Sequence, residues 1–247
     1  MSNSFVRKLK QETFQEEVRE LSAHQLREKF DEIAEMRRGR DAPHHTVLEA
    51  AKKYFKKGAK VLDLGAGTGK YVVALAEKGV EVTPVDISRK AHEVIKEEKL
   101  EKGVKGEQMM ADITKLPYRD GSFDGAIFFG TASFMKRGEI EEALSEIQRV
   151  LKPKGILIAG FPSTASDIYE LNRSFRDNSK TVRVWDKQLM MGDVPLNFFD
   201  RGDFEGYVKN IEKNFKIIEK KHEISSLFLE GAQYMSHWNW ILIAEKL

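Results

Sequence analysis

The chain has 247 residues and a formal net charge of +2; 41% of its residues are hydrophobic and 32% are charged. This length and composition are typical of one large α/β domain with a buried core, alone or with an appended cap. The sequence has no cysteine, which excludes disulfides, thiolate metal sites and a cysteine nucleophile. Because the net charge is close to zero, we expect no general attraction to nucleic acid.

Neither a membrane span nor a secretory signal is predicted. No apolar run approaches the roughly 20 residues that a transmembrane helix needs. The first residues, MSNSFVRKLKQETFQEEVRE, lack the apolar segment of a signal peptide. We therefore expect a cytoplasmic protein with no membrane partner.

Residues 1–57 are predicted to be helical. Apolar residues recur at helical spacing in three stripes, and each stripe predicts one helix: Phe14, Val18 and Leu21; Leu26, Phe30 and Ile33; Val47, Leu48, Ala51, Tyr54 and Phe55. Ser22 and Gln25 have the spacing of a capping box, which predicts a break between the first two helices. Gly58 is expected to end the third. We expect residues 1–57 to form a lid or cap on a domain of residues 58–247.

Residues 59–160 alternate between β-rich runs and helical patterns. The predicted strands are residues 60–65, 80–86, 106–112, 125–130 and 155–160. Three helices are predicted between these strands. The first ends near Gly79, the second spans about 89–100, and the third carries Ile140, Leu144, Ile147 and Leu151 on one face. This alternation predicts βαβ units, and hence a parallel sheet with helices on both faces.

Residues 161–247 are less regular. A cap-like insertion is expected at about 161–200, and its Trp185, Phe198 and Phe199 either line an apolar pocket or pack the insertion onto the domain. A helix is predicted around 202–213. Two strands, 215–224 and 238–247, are separated by a predicted loop at 225–237, which indicates an antiparallel hairpin at the edge of the sheet.

The most informative motif is VLDLGAGTGKYVVALAEKG, residues 61–79. Gly65, Gly67 and Gly69 form a turn from a buried strand into a helix, where the missing Cβ lets a ligand approach the backbone. A dinucleotide fingerprint is spaced G-x-G-x-x-G/A, whereas here Lys70 is the sixth residue. Asp63 beside the turn suits an ammonium group and is a poor neighbour for a pyrophosphate. The motif therefore favours an amino-acid nucleoside over NAD.

An acidic residue follows the second predicted strand. At a strand's carboxyl end the carboxylate of Asp86 can accept hydrogen bonds from both hydroxyls of a ribose. Ile87 would flank an adenine face, and Ser88 is expected to cap the next helix. A capping role for Asp86 is the alternative, although Ser88 alone suffices for it.

The segment ADITKLPYRDGSFDGAIFFG follows. Asp112 lies just after the third predicted strand, where its side chain can accept a hydrogen bond from an adenine amino group, and Ile113 offers an apolar face. Asp at a strand end is also a common turn residue. Asp124 precedes the fourth strand, and we expect a structural role for it.

Residues 61–160 resemble the class I S-adenosylmethionine-dependent methyltransferase family. The resemblance lies in the glycine motif, the acidic end of the second strand, the turn LPYRDGSFD and the segment VLKPKGILIAG. It implies a doubly wound α/β fold whose mainly parallel sheet has seven strands, the last of them antiparallel. It implies S-adenosyl-L-methionine as the cofactor. The resemblance assigns the methionine part to Asp63 and to Gly65, Ala66, Gly67, Thr68 and Gly69. It assigns the ribose to Asp86, the adenine to Asp112 and Ile113, and the border of the methyl group to Phe129 and Gly130. Ile87, beside the adenine face, and Ser88 complete the predicted cofactor-binding set.

The methyl acceptor is not identified by the sequence. Many relatives carry an aromatic or histidine pair, or an NPPY motif, after the fourth strand, whereas this chain has Thr131, Ala132, Ser133 and Phe134. This departure disfavours methylation of exocyclic amines and leaves a small-molecule acceptor as the leading interpretation.

Two other functions stay open. One is a tRNA-modifying methyltransferase, because ADITKLPYRDGSFD also resembles wobble-uridine enzymes and because Arg37, Arg38 and Arg40 are placed to contact phosphates. No RNA-binding module is appended, which makes RNA the less favoured partner. The other is a non-catalytic S-adenosylmethionine-binding partner or sensor. The oligomeric state is left open.

A general base is needed only if the acceptor must lose a proton. The candidates are His44, His45 and His237, since a neutral imidazole can take up a proton near pH 7. Surface or capping roles are more common for such residues. We predict no metal site, because the six histidines show no ligand spacing.

Overall fold

The computed structural model describes residues 23–173, 176, 178–183, 194–228 and 234–247. The predicted helix with Phe14, Val18 and Leu21, its neighbour Ser22 and the aromatic Trp185 lie outside these residues. Helices α1–α7 are Ala23–Arg37, His45–Tyr54, Lys70–Ala76, Arg89–Glu101, Arg137–Val150, Asp167–Leu171 and Arg201–Ile211, and a 3-10 turn spans Ala132–Phe134. Strands β1–β9 are Lys60–Leu64, Glu81–Asp86, Met109–Met110, Phe123–Phe129, Leu151–Pro162, Thr181–Arg183, Pro195–Asn197, Phe215–Phe228 and Tyr234–Lys246.

Among the described residues, seven strands form one sheet in the order β3-β2-β1-β4-β5-β9-β8. Strands β1 to β5 pair in parallel, whereas β9 pairs antiparallel with both β5 and β8. The predicted doubly wound sheet with an antiparallel last strand is therefore confirmed. The strand order reverses between β1 and β4, and a crevice at such a point is where open α/β sheets bind ligands.

The parallel strands are buried on both faces, which explains their continuous apolar runs. Successive side chains point to opposite faces, so Ile127 packs with α2 and α3 while Phe128 packs with α5 and α7. Both side chains are fully buried. Helix α2 thus belongs to the flank of the sheet.

Helix α1 packs differently from α2. Its Ile33 belongs to a separate apolar cluster with residues of the segment predicted to be an insertion, at about 161–200: Ile168, Tyr169, Val182, Val194, Leu196 and Phe198. The insertion contributes α6 and a two-stranded antiparallel sheet of β6 and β7. The helix and the insertion together form a layer at the carboxyl ends of the parallel strands. No helix within the described ranges is long and apolar enough to cross a membrane.

Three predicted boundaries were wrong. The hairpin loop was expected at 225–237, but β8 continues to Phe228 and β9 begins at Tyr234, because backbone pairing continues through the serines at 225 and 226. The third strand, expected at 106–112, is Met109–Met110, since it is an edge strand that pairs only with β2. Helix α2 ends at Tyr54 and not at Gly58, because Phe55 is extended and its ring packs over Gly125.

Of the three aromatic residues for which two roles were left open, Phe198 and Phe199 are described. Phe198 and Phe199 are 1% and 0% exposed. Phe198 packs in the cluster with α1, and Phe199 packs in the main core beside Phe161, with ring centroids 5.6 Å apart. Neither lines the cavity described below. Phe199 packs the insertion onto the main core, whereas Phe198 packs it against α1.

Candidate active site

A cavity of about 360 Å³ opens at the carboxyl ends of β1, β2 and β4, where the strand order reverses. Helix α1 contributes one wall and the glycine-rich turn contributes another. Every residue predicted from the sequence to bind the cofactor lines this cavity except Gly69: Asp63, Gly65, Ala66, Gly67, Thr68, Asp86, Ile87, Ser88, Asp112, Ile113, Phe129 and Gly130.

The three glycines of the turn differ in what a side chain at each position would contact. All three have positive φ, of 70°, 54° and 81° in chain order. A Cβ at Gly65 would collide with Thr131, and one at Gly69 would collide with Ile95. A Cβ at Gly67 would meet no neighbour within 4 Å. Gly65 and Gly69 are therefore required by packing, whereas Gly67 leaves open space on the cavity side.

Asp86 holds the glycine turn in place. Its Oδ2 accepts a hydrogen bond from the backbone N–H of Gly67 at 2.8 Å, and its Oδ1 accepts one from Ser88 at 2.9 Å. Burial raises the pKa of this carboxyl, and the two backbone hydrogen bonds oppose that shift. Sequence reasoning missed the bond to Gly67, which links the ends of two neighbouring strands. Each carboxylate oxygen has a further lone pair with which to accept a hydroxyl of a ligand.

Asp63 is the least satisfied acidic group of the site. It is 3% exposed, and its Oδ2 is buried without a hydrogen-bond partner. Burial raises its pKa to about 7; Asp86 adds to the shift and Lys70 opposes it. A buried carboxylate is costly unless a cation or donor pairs with it. A ligand ammonium would supply that partner, so the α-amino group of S-adenosylmethionine fits this position.

Asp112 forms the turn considered for it and also lies at the cavity, where the predicted contact with adenine stays a prediction. Its Oδ1 accepts hydrogen bonds from the backbone N–H of Thr114 at 2.9 Å and from the Thr114 hydroxyl at 2.8 Å, which is an Asx turn. The residue nevertheless lines the cavity next to Ile113. The turn therefore fixes the carboxyl group at the cavity edge and leaves Oδ2 for a ligand.

Helix α1 forms one wall of the cavity, and the sequence did not predict which of its residues line it. Leu26, Phe30, Ile33, Ala34 and Arg37 line the cavity, as does Asp41 after the helix. The sequence signal for this wall is the apolar stripe of Leu26, Phe30 and Ile33. The stripe predicted a lid, but it did not indicate which residues of the domain the lid contacts.

Two side chains fix α1 and the segment after it to the core. Asp31 Oδ1 accepts hydrogen bonds from Ser88 Oγ at 2.6 Å and from the backbone N–H of Lys90 at 3.0 Å. Asp41 Oδ2 accepts one from Thr68 Oγ1 at 2.9 Å. The helix is thus attached to the two loops that form the donor side of the cavity.

Comparison with known proteins identifies the family. Residues 62–159 match the family described as a methyltransferase domain. A ubiquinone/menaquinone biosynthesis C-methyltransferase from Cupriavidus taiwanensis is 28% identical over 178 residues, 70% of each chain. A demethylmenaquinone methyltransferase from Clavibacter sepedonicus is 40% identical over 103 residues, 41% of this chain and 40% of the relative. The chain therefore carries a methyltransferase domain of the S-adenosylmethionine-dependent type.

The fold comparison agrees. The solved structure of an S-adenosylmethionine-dependent methyltransferase from Methanosarcina mazei superimposes with a TM-score of 0.67 at 20% sequence identity. The match covers 84% of this methyltransferase and 99% of that chain. The unmatched part of this chain therefore lies outside the shared methyltransferase fold.

The three candidate histidines of the methyltransferase lie close together, behind the cavity wall. The His44 ring stacks on His45, with centroids 4.7 Å apart, and lies 4.8 Å from the Phe129 ring. His45 Nε2 lies 2.8 Å from Glu223 Oε1. Burial lowers the pKa of both His44 and His237 to about 4, with neighbouring positive charge contributing. Phe129 lines the cavity and the histidines do not.

Arg37 and Arg38, two of the arginines predicted to contact phosphates, lie in different surroundings. Arg37 lines the cavity, whereas Arg38 forms ion pairs with Glu97 of α4 and with Glu35. These acidic partners reduce the charge that Arg38 offers to a phosphate, and a tRNA acceptor stays a prediction. Among the described residues, no cluster of three or more His, Asp or Glu side chains is arranged to hold a metal ion.

Proposed function

We propose that this methyltransferase methylates a ring carbon of a small aromatic acceptor of the hydroquinone type. The observation that carries the proposal is the apolar wall opposite the acidic donor residues. It consists of Leu26, Phe30 and Ile33 from α1 with Phe134 and Met135 after β4. The rings of Phe30 and Phe134 pack edge to face, with centroids 5.4 Å apart. The names of the two relatives both refer to quinones, and that of the relative from Cupriavidus taiwanensis refers to C-methylation, which supports the same acceptor class.

The donor residues are proposed to divide the cofactor among them. Asp63 binds the α-ammonium group and Asp86 the ribose hydroxyls. Asp112, Ile87 and Ile113 surround the adenine, and Phe129 with Gly130 borders the methyl group. The partly unsatisfied Asp63 and the open space beside Gly67 support this orientation.

S-adenosylmethionine supplies a methyl group already activated by a sulfonium. The protein therefore has to align the acceptor with that methyl group, which is a positioning effect. Phe129 and the α1 wall exclude water and orient a flat ring. Of the three histidines proposed as general bases, His44 is the one in contact with the cavity-lining Phe129. Its pKa, lowered to about 4, makes the imidazole a weak base. A histidine base therefore stays a prediction from the sequence.

The cap is part of the proposal. Helix α1 and the insertion at about 161–200 form a cap that covers the donor and acceptor sites of the domain 58–247. The shared cluster around Ile33 and Phe198 and the cavity-lining face of α1 support it. A cytoplasmic location stays a prediction from the sequence.

Methyl transfer from labelled S-adenosylmethionine tests the acceptor class. A short-chain demethylmenaquinol, kept reduced without oxygen, is compared with unmodified tRNA and with a sample lacking acceptor. We expect label in the quinol and none in the tRNA, with the oxidised quinone as an inactive control. Label in tRNA alone would favour the RNA alternative. No transfer above the sample without acceptor would contradict a hydroquinone acceptor.

A further inference from the structure

The two-stranded sheet of β6 and β7 contacts both apolar walls of the cavity. On one side of β7, Leu196 and Phe198 pack in the cluster that contains Ile33 of α1. Asn197 lies between them, and because successive side chains of a strand point to opposite faces, it points to the other side. On that side β7 contacts the 3-10 turn that precedes Met135. The sheet is therefore placed to set the distance between the α1 wall and the wall after β4.

Asn197 connects β7 to the wall after β4 through both polar atoms of its side chain. Its Nδ2 donates a hydrogen bond to the backbone carbonyl of Met135 at 2.8 Å. Its Oδ1 accepts one from Thr181 Oγ1 at 2.6 Å, and Thr181 lies directly opposite Asn197 in the pairing of β6 with β7. Since a carboxamide donates from nitrogen and accepts at oxygen, the hydroxyl of Thr181 orients the amide and the amide holds Met135.

The start of this sheet is attached to the domain. Lys180, the residue before β6, places its Nζ 2.6 Å from Asp200 Oδ2 and 2.7 Å from Asp203 Oδ2. Arg137 of α5 donates a hydrogen bond to the backbone carbonyl of Ser179 at 3.3 Å and forms an ion pair with Asp203. These contacts fix β6 relative to α5 and α7. Asn197 therefore holds Met135 from a sheet that is itself fixed to the domain.

The wall that Asn197 holds faces the proposed acceptor. Phe134 and Met135 line the cavity, and the Phe134 ring packs edge to face with Phe30 of the α1 wall. A flat ring held between two such walls is positioned only if their separation matches its thickness and width. Because misplacement by about 1 Å can slow a reaction substantially, the separation of the walls matters for alignment with the methyl group.

We infer that Asn197 is a positioning residue for the methyl acceptor, because it holds Met135 and Phe134 at the distance from α1 that admits the acceptor ring. This inference rests on the proposed function, in which these walls bind the acceptor. Asn197 does not itself line the cavity, so it acts through Met135.

The position of the wall can be measured without an acceptor. The full chain is labelled with carbon-13 at its methionine methyl groups and observed by NMR in complex with S-adenosylhomocysteine, and Met135→Leu identifies the Met135 signal. Asn197→Asp places a carboxylate oxygen against the Met135 carbonyl, so we expect this signal to shift. Asn172→Asp is the matched control, because Asn172 Nδ2 donates the same kind of hydrogen bond to the Ile168 carbonyl at 2.8 Å, away from the cavity. It should leave the signal unchanged.

Two hydroquinones of different width give the second measurement. A short-chain demethylmenaquinol has two fused rings, and a hydroquinone with the same side chain has one; both are kept reduced. Because a pocket discriminates small differences in ligand size by roughly tenfold or more, we expect Asn197→Asp to change the ratio of the two kcat/KM values by about tenfold. The change should appear mainly in KM, since the wall contacts the acceptor before and during the reaction. The affinity for S-adenosylhomocysteine should stay unchanged, because the acidic donor residues lie opposite this wall.

Thr181 provides an independent pair of variants. Thr181→Val removes the hydroxyl that orients the amide and should change the same ratio by about threefold. Thr181→Ser keeps the hydroxyl and should retain the wild-type ratio. Circular-dichroism melts establish that each variant is folded. A purely structural role for Asn197 would lower the melting temperature and both kcat/KM values without changing their ratio.

An unmoved Met135 signal in folded Asn197→Asp would overturn the inference. So would unchanged selectivity between the two hydroquinones, provided that the wild type methylates at least one. Failure of the proposed function is read separately: a wild type that methylates neither hydroquinone contradicts the acceptor class, and the Met135 signal then decides alone whether Asn197 sets the wall. Should Asn197→Asp fail to fold, Thr181→Val and Thr181→Ser carry both measurements.

Discussion

Asp63 and Asp124 lie on neighbouring strands, at opposite ends of the sheet. Asp124, at the amino end of β4, accepts hydrogen bonds from the backbone N–H of Lys60 at 2.9 Å and from Lys152 Nζ at 2.7 Å. Partial burial acts to raise its pKa, but these two partners outweigh it and lower the pKa. Asp63, near the carboxyl end of β1, has an unsatisfied oxygen and a pKa raised to about 7.

The difference shows how the sheet separates stability from function. Parallel strands bring all their carboxyl ends to one edge, so unsatisfied groups can be gathered there for a ligand. The opposite edge carries acidic groups paired within the protein, as at Asp124. The same residue type therefore stabilises the fold at one end and has a free oxygen for a ligand at the other.

The largest effect is expected at Asp63. Asp63→Asn removes one partner of a buried ion pair with the donor, which costs about 3 kcal/mol or more, a hundredfold or greater loss of affinity for S-adenosylhomocysteine. The free protein should become more stable above pH 7, because a buried unpaired charge is removed. Calorimetry and urea unfolding at pH 8 measure both. A variant that binds normally would exclude Asp63 from the donor site.

A substitution at Asp86 should lower both the affinity for the donor and the stability of the fold. Asp86→Ala removes acceptors for the ribose and for the N–H groups of Gly67 and Ser88. We expect donor affinity to fall about a hundredfold and the free energy of unfolding to fall by about 1–3 kcal/mol. Calorimetry and urea unfolding of the same samples test this pair of effects. Lost stability with intact affinity would assign Asp86 a structural role alone.

Donor binding should depend on pH through Asp63. In the free protein its pKa is about 7, and an ammonium partner would lower that pKa in the complex. Affinity should therefore rise by up to about tenfold per pH unit below pH 7 and level off above it. Asp63→Asn is the control, and its affinity should change little between pH 5.5 and about 7. Equal pH profiles for the two proteins would contradict the assignment.

The pH dependence of unfolding has a defined sign. The folded pKa of Asp63 lies above its ordinary value of 3.8, so the unfolded chain loses this proton first. This residue's contribution to stability is thus fully present below about pH 4 and is lost as the pH rises to about 7. Asp63→Asn removes that part of the dependence.

The smallest effect is expected at Asp124. Its ion pair with Lys152 is partly exposed, so Asp124→Asn should lower the free energy of unfolding by about 1 kcal/mol. Donor affinity should not change, because the residue lies at the far edge of the sheet. A changed dissociation constant for S-adenosylhomocysteine would show that the two edges are coupled.

Much of the fold and the donor side could be predicted from the sequence. Alternating strands and helices give the parallel sheet, and the spacing of Gly65, Gly67 and Gly69 places a ligand at the first turn. These signals are local, since each lies within one strand-turn-helix unit. The hairpin boundary failed because strand pairing, and not residue type, extends β8 and β9.

The rest of the site depends on contacts between distant residues. Asp31 reaches Ser88 and Asp86 reaches Gly67 across loops whose relative position is set by packing. No spacing rule within the sequence indicates such pairs. Phe198 and Phe199 were ambiguous for a similar reason, because a buried aromatic residue and a pocket-lining one have the same local sequence signature.

The position of β9 between β5 and β8 affects how the chain folds. β8 does not pair with β5 and is connected to the rest of the sheet only through β9. The β8–β9 hairpin is a local contact and is expected to form before it docks on β5. Until then, the apolar edge at Ile156, Leu157 and Ile158 is open to pairing with another chain. Self-association during refolding is therefore expected to begin at β5, an edge that the native sheet covers.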